Sequence, residues 1–164
     1  MTREDAYFQR ILLLSGFWEG YDEWLGSYLE SEEPLSDIVL ELVDCHNDMK
    51  EVEYRLNLYC GEKPFDEESV HERLRLYLWE NYKSGKMEKD ALLATMGKFS
   101  FILPDGGAFV RNCRVLYDYY DLVEEQMISE ERFEAVMLAF LERNERVDTD
   151  KFWKKVIWKK VKRR

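Results

Sequence analysis

At 164 residues, 46% hydrophobic and 15% aromatic, the chain carries enough apolar material for a packed core, which excludes a disordered or low-complexity segment. That length suits one domain, able to bury roughly two-thirds of its unfolded surface without a disulfide or metal staple. The net charge of −10 is unevenly spread: residues 151–164 hold eight lysines and arginines and no acid, which leaves −18 on residues 1–150 and disfavours nucleic-acid binding by the body.

Apolar residues recur at helical spacing along almost the whole chain, and strand alternation is nearly absent. The first helix is expected over Arg3–Ser15, with Thr2 as N-cap and Gly16 ending it. A second is expected over Tyr21–Glu30. Pro34 fits the first turn of a third, whose stripe is Leu35, Ile38, Val39, Leu42 and Val43. Asn47 or Asp48 opens a fourth with Met49, Val52, Leu56, Tyr59 and Cys60 inward, closed by Gly61 at the C′ position. Asp66 caps a fifth, with Phe65 stapled onto Val70 and a stripe of Val70, Leu74, Tyr77 and Leu78.

Ser84-Gly85 breaks the fifth helix, and Met87, Ala91, Leu92, Thr95, Met96 and Phe99 carry the sixth. Residues 100–108 read as a loop built on the Pro104-Asp105-Gly106 turn. A long seventh helix is expected over Phe109–Glu125. Ser129 caps an eighth, which buries Phe133, Val136, Met137, Phe140 and Leu141. Asp148 to Asp150 start a basic terminal helix. Leu76-Tyr77 with Met96 and Phe99 echoes about 40 residues later as Leu116-Tyr117 with Met137 and Phe140. The expectation is an all-α fold of eight or nine helices, packed as antiparallel helical hairpins in a single domain over 1–164.

No signal peptide is expected, because the N-terminus is acidic and the apolar run Ile11–Leu14 is short. No stretch reaches the roughly 18 apolar residues of a membrane span. Three cysteines, Cys45, Cys60 and Cys113, lack CxxC spacing and read as reduced thiols of a cytoplasmic protein.

Catalytic signals are sparse, and the chain reads as a non-enzyme. Two histidines, His46 and His71, give a triad or histidine metal site little to draw on. The cluster Asp44-Cys45-His46-Asn47-Asp48 mixes nucleophile, base and acids. Neighbours on a helix point about 100° apart, however, so a helix end followed by an N-cap explains it better. His71 reads as a surface helix residue. No phosphate loop, HExxH or GxSxG occurs, and no cofactor or metal is implied.

Two segments interleave acids with aromatics. Phe17–Trp24 sets four aromatics among Glu19, Asp22 and Glu23. On the seventh helix Asp118, Asp121, Leu122 and Glu125 share one side, while Val110, Cys113, Leu116, Tyr117 and Tyr120 take the inward side and Tyr119 the border. Aromatic anchors among carboxylates suit an interface with a basic partner, against the simpler reading of a solvated helix face. The segment 151–164 forms an amphipathic basic helix with Phe152, Trp153, Val156, Ile157 and Val161 on one side. Such a helix fits an anionic membrane, a nucleic acid or a calmodulin-like groove. Docking onto the chain's own acidic body is the favoured reading.

In size, acidity and the stretches Trp18–Trp24 and Tyr117–Glu125, the chain resembles the small acidic helical immunity proteins of bacterial toxin–immunity systems. The resemblance implies a non-enzymatic inhibitor that covers the active site of a cognate toxin, often a basic nuclease. On this reading Trp18, Glu19, Asp22, Asp118, Tyr119, Asp121 and Glu125 form the partner surface, with carboxylates standing in for phosphates. The basic tail departs from a uniformly acidic inhibitor. The rival readings are a helical-hairpin adaptor or regulatory subunit, and a nucleic-acid or membrane-surface binder acting through the tail.

Overall fold

The computed structural model describes residues 1–153. The basic helix expected over 151–164 therefore lies outside the described residues from 154 onward. The described chain is all helical: α1 (Arg3–Leu14), α2 (Tyr21–Ser31), α3 (Asp37–Cys45), α4 (Met49–Gly61), α5 (Glu67–Lys83), α6 (Lys89–Ile102), α7 (Ala108–Glu124), α8 (Glu130–Arg143) and α9 (Asp150–Trp153). No strand occurs among the described residues. None of the helices is long and apolar enough to cross a membrane. The helices sort into two compact units, Met1–Arg73 and Leu74–Arg164, with the boundary inside α5.

In the first unit, Thr2 opens α1 through a reciprocal cap. Its hydroxyl oxygen accepts from the Asp5 N–H at 3.1 Å, and the Asp5 carboxylate accepts from the Thr2 N–H at 3.4 Å. α1 and α4 run antiparallel. Arg3 at one end donates to the Tyr59 carbonyl at 3.2 Å, and Arg10 further along reaches Glu53 at 3.1 Å. Ala6, Ile11 and Leu13 from α1 join Val39, Leu42, Val52 and Leu56 from α3 and α4 in a fully buried core.

Two expected boundaries shift in this unit. Pro34 lies before α3 rather than in its first turn. The Glu32 carboxylate accepts from the Ser36 N–H at 3.3 Å and its hydroxyl at 2.8 Å, which sets Ser36 at the N-cap. Leu35, before the helix, and Val43, within it, are only half-buried. Gly61 is the last residue of α4, followed by Glu62 in a right-handed conformation, so no left-handed C′ glycine is used. Phe65 packs its ring 4.7 Å from that of Tyr7 in α1. Asp66 does cap α5, accepting from the Ser69 N–H at 3.1 Å.

In the second unit the paired helices are also antiparallel. Asp90 and Phe99 of α6 meet Tyr120 and Phe109 of α7, and Phe109 and Tyr120 meet Phe140 and Phe133 of α8. Between α5 and α8, the buried Arg75 guanidinium donates to the Leu141 carbonyl, and the Tyr82 hydroxyl lies 3.4 Å from Glu134. α6 runs three residues into the expected loop, because Ser100 is buried and donates to the Gly97 carbonyl at 2.8 Å. Ala91, expected inward, is exposed. The echo does not survive as matched burial: Leu116 is fully buried, whereas Leu76 is 41% exposed.

Candidate functional site

The first acidic-aromatic segment is the corner between α1 and α2. The Gly16 and Phe17 N–H groups return to the carbonyls of Leu13 and Leu12, both at 2.9 Å, and Gly16 takes φ of +90°. That closes α1 with a Schellman-type turn. Gly20, at φ of +84°, then opens α2. Between these two turns the chain projects Trp18, half exposed, and Glu19, also exposed, with Asp22 exposed one residue into α2. The neighbouring aromatics turn inward. Tyr21 is fully buried, with its ring 5.7 Å from Trp24, and Trp24 lies 5.3 Å from Tyr28. Of the four aromatics, Trp18 alone is exposed. The Tyr21 hydroxyl has no hydrogen-bond partner among the described residues, and burial pushes it well above the usual phenol range.

The second segment lies on α7. Phe109, Val110, Asn112, Cys113 and Leu116 face inward. Buried Asn112 accepts from the Val147 N–H at 3.2 Å, tying the chain after α8 to this helix. Asp118, Asp121, Glu124 and Glu125 point out. The two tyrosines expected inward divide. Tyr117 is 41% exposed and lies flat on Gly97, whereas half-buried Tyr120 donates to Asp90 at 2.8 Å. Tyr119 is half-buried, its ring 5.4 Å from that of Phe152 in α9, so it is held inside the unit rather than left as a free anchor.

Many acids elsewhere are answered by cations. Arg3 pairs with Glu62 at 3.0 Å, Arg73 with Asp5 at 2.9 Å, Arg55 with Glu51 at 2.7 Å, and Lys89 with Glu130. Among the described residues, none of the ion pairs involves Asp118, Asp121 or Glu125, nor Glu19 or Asp22. The structure thus gathers Trp18, Glu19 and Asp22 at one corner of the first unit. It lines up Asp118, Asp121 and Glu125 along one helix of the second.

The Asp44–Asp48 cluster is a helix end and a cap. His46 Nδ1 sits 2.7 Å from the Val43 carbonyl, and Asp48 accepts from the N–H groups of Lys50 and Glu51 at 3.1 and 3.2 Å. All three cysteines are free thiols, and burial pushes Cys60 up to about 11. His71 is half-buried rather than a surface residue, and desolvation lowers its pKa. Among the described residues no three His, Cys, Asp or Glu side chains are placed to hold a metal ion.

One feature escaped the sequence reading. A cavity of about 450 Å³ opens at the start of α7, lined by Asp105, Gly106, Gly107, Val110, Arg111 and Arg114. Arg114 in its wall pairs with Asp105 at 2.6 Å and donates to the Ser100 carbonyl at 2.8 Å. The signal was Arg111 and Arg114 three apart after a Gly-Gly turn, with no acid in the first turn of the helix. No protein-family model, curated protein or solved structure matches the chain.

Proposed function

We propose that the protein is a stoichiometric, non-enzymatic inhibitor of a basic protein partner, in the manner of an immunity protein neutralising a toxin of the nuclease type. The observation that carries this reading is the outward row of Asp118, Asp121 and Glu125 on α7, unanswered by any cation among the described residues. Many exposed acids elsewhere in the chain have arginine or lysine partners. Carboxylates spaced along one helical face repel each other, and a basic partner relieves that repulsion. A nuclease site built for phosphates supplies such a surface. Trp18, Glu19 and Asp22 offer a second contact of the same chemistry, with the exposed indole as its apolar anchor.

Co-purification of the tagged chain with the product of the adjoining gene tests the reading. The expected result is a one-to-one complex with a protein that is toxic alone. Replacing the three α7 acids together (Asp118→Asn, Asp121→Asn, Glu125→Gln) should then weaken the complex by about 2 kcal/mol or more, chiefly through slower association at low salt. Unchanged affinity at physiological salt rejects the α7 face as the partner surface.

A further inference from the structure

We propose that the cavity at the head of α7 binds a small organic acid of single negative charge, whose carboxylate lies on Arg111 and Arg114 and whose apolar body rests on Ala108 and Val110. This site shares no residue with the acidic surface described above and stands whether or not the inhibitor reading holds.

The cavity measures about 450 Å³, within the roughly 300–1,000 Å³ range of small-molecule sites. A water molecule takes up roughly 30 Å³, so a bare inorganic ion leaves most of this space empty and the ligand has an organic body. Gly106 and Gly107 give the lining backbone without side chains, and Ala108 and Val110 give it side chains without polar atoms. The polar side chains of the wall are Asp105, Arg111 and Arg114 alone. A few placed polar groups in an otherwise apolar lining are what orient a small ligand.

Arg114 is held ready for such a group. Its Nη2 donates to the Asp105 carboxylate at 2.6 Å and to the Ser100 carbonyl at 2.8 Å, which uses both hydrogens of that nitrogen. The guanidinium is fixed by these two bonds, while its Nε and Nη1 meet no acceptor among the described residues. Arg111 lies three residues earlier on α7 and is exposed. Its guanidinium makes one long hydrogen bond, from Nη2 to Asn112 Oδ1 at 3.5 Å, and enters no ion pair among the described residues. Side chains three apart on a helix are neighbours, so both sets of donors serve one cavity. A guanidinium fork matches the two oxygens of a carboxylate, and a fork already fixed loses less freedom on binding.

Charge sets the class of acid. Arg111 and Arg114 against Asp105 leave one positive charge in the wall, and the α7 N-terminus adds about half a charge of the same sign. A single carboxylate balances that wall. A phosphate monoester carries about −1.5 to −2 near pH 7 and leaves negative charge in excess beside Asp105. The acids of the body repel any anion, but at physiological ionic strength that field is screened beyond about 8 Å, so the cavity wall decides.

The test titrates the full chain with benzoate at constant ionic strength and follows the amide resonances of Gly106, Gly107 and Ala108 by NMR. Benzamide offers the same shape without the charge, and phenyl phosphate the same ring with a larger one. The expected result is a saturable shift centred on these three residues, with benzamide at least about tenfold weaker and phenyl phosphate no tighter than benzoate. Arg111→Gln should weaken benzoate binding at least about tenfold and leave resonances remote from the cavity in place. Absence of saturation, shifts centred elsewhere, an equal response to benzamide, or full affinity in Arg111→Gln overturns the proposal. Tighter binding of phenyl phosphate overturns the assignment to a carboxylate. The benzamide comparison uses the parent chain, so it decides even where the variant folds poorly.

Discussion

Gly97 lies in the middle of α6, where an alanine would be favoured by about 1 kcal/mol on helix propensity alone. Its environment reverses that preference. A Cβ at this position would stand 2.8 and 2.9 Å from two carbons of the Tyr117 ring, closer than side-chain carbons approach. The ring therefore has to tilt off α6, disturbing the α6–α7 contact that also holds Phe99 against Phe109 at 6.2 Å. Overpacking of this kind costs about 1–3 kcal/mol, which outweighs the propensity gain. Gly97→Ala should lower the unfolding free energy by about 1 kcal/mol in chemical denaturation. With Tyr117→Ala already in place the sign should reverse, since nothing then opposes the propensity gain. A loss in both backgrounds would show that the glycine serves some need other than the ring. The same contact explains why Tyr117 was misread from periodicity: its position turns towards α6, but a glycine-flat surface leaves the ring lying on the helix, 41% exposed.

α9 is four residues long and contributes to the second unit through Phe152, stacked on Phe133 and tilted against Tyr119. Truncation to alanine removes a fully buried ring and leaves a cavity, so Phe152→Ala should cost about 3 kcal/mol. A thermal or urea midpoint close to that of the parent chain would mean that α9 is not seated on α7 and α8. Elements of this kind were legible where local chemistry decides: the Thr2 cap stands, the fourth helix takes Asp48 of the two expected caps, and the α8 stripe is buried at Phe133, Met137, Phe140 and Leu141, with Val136 only half-buried. Where tertiary contacts decide, the reading slipped. Buried Ser100 prolonged α6 into the expected loop, and Ala91, expected inward, is exposed. Of the candidate site, the outward set of acids on α7 followed from helical spacing, whereas the capture of Tyr119 by Phe152 depends on a segment more than 30 residues away. The cavity beside Arg111 and Arg114 depends on how the Gly106–Gly107 turn meets the helix, which periodicity does not report.

Across the whole chain, acidification sets two effects against each other. Neutralising carboxylates relieves the repulsion within a body that carries −18 over residues 1–150, which favours the compact state. Most carboxylates titrate near pH 4, so this relief is confined to the region below about pH 5. His71 acts earlier and in the opposite direction. Desolvation lowers its folded pKa below the ordinary 6.5 and outweighs the raising effect of Glu67 and Glu68. The unfolded chain therefore takes up the proton first, and stability falls as pH drops from about 6.5 through the folded value. Asp5 does not contribute in that window. Burial raises its pKa, but hydrogen bonds from Thr2, Tyr28 and Arg73 bring the net value below 3.8, so its share is lost only under more acid conditions. Urea midpoints taken at about pH 7.5 and about pH 5.5 should fall for the parent chain and change little for His71→Gln. An equal fall in both would assign the loss to another group and remove His71 from the acid limb.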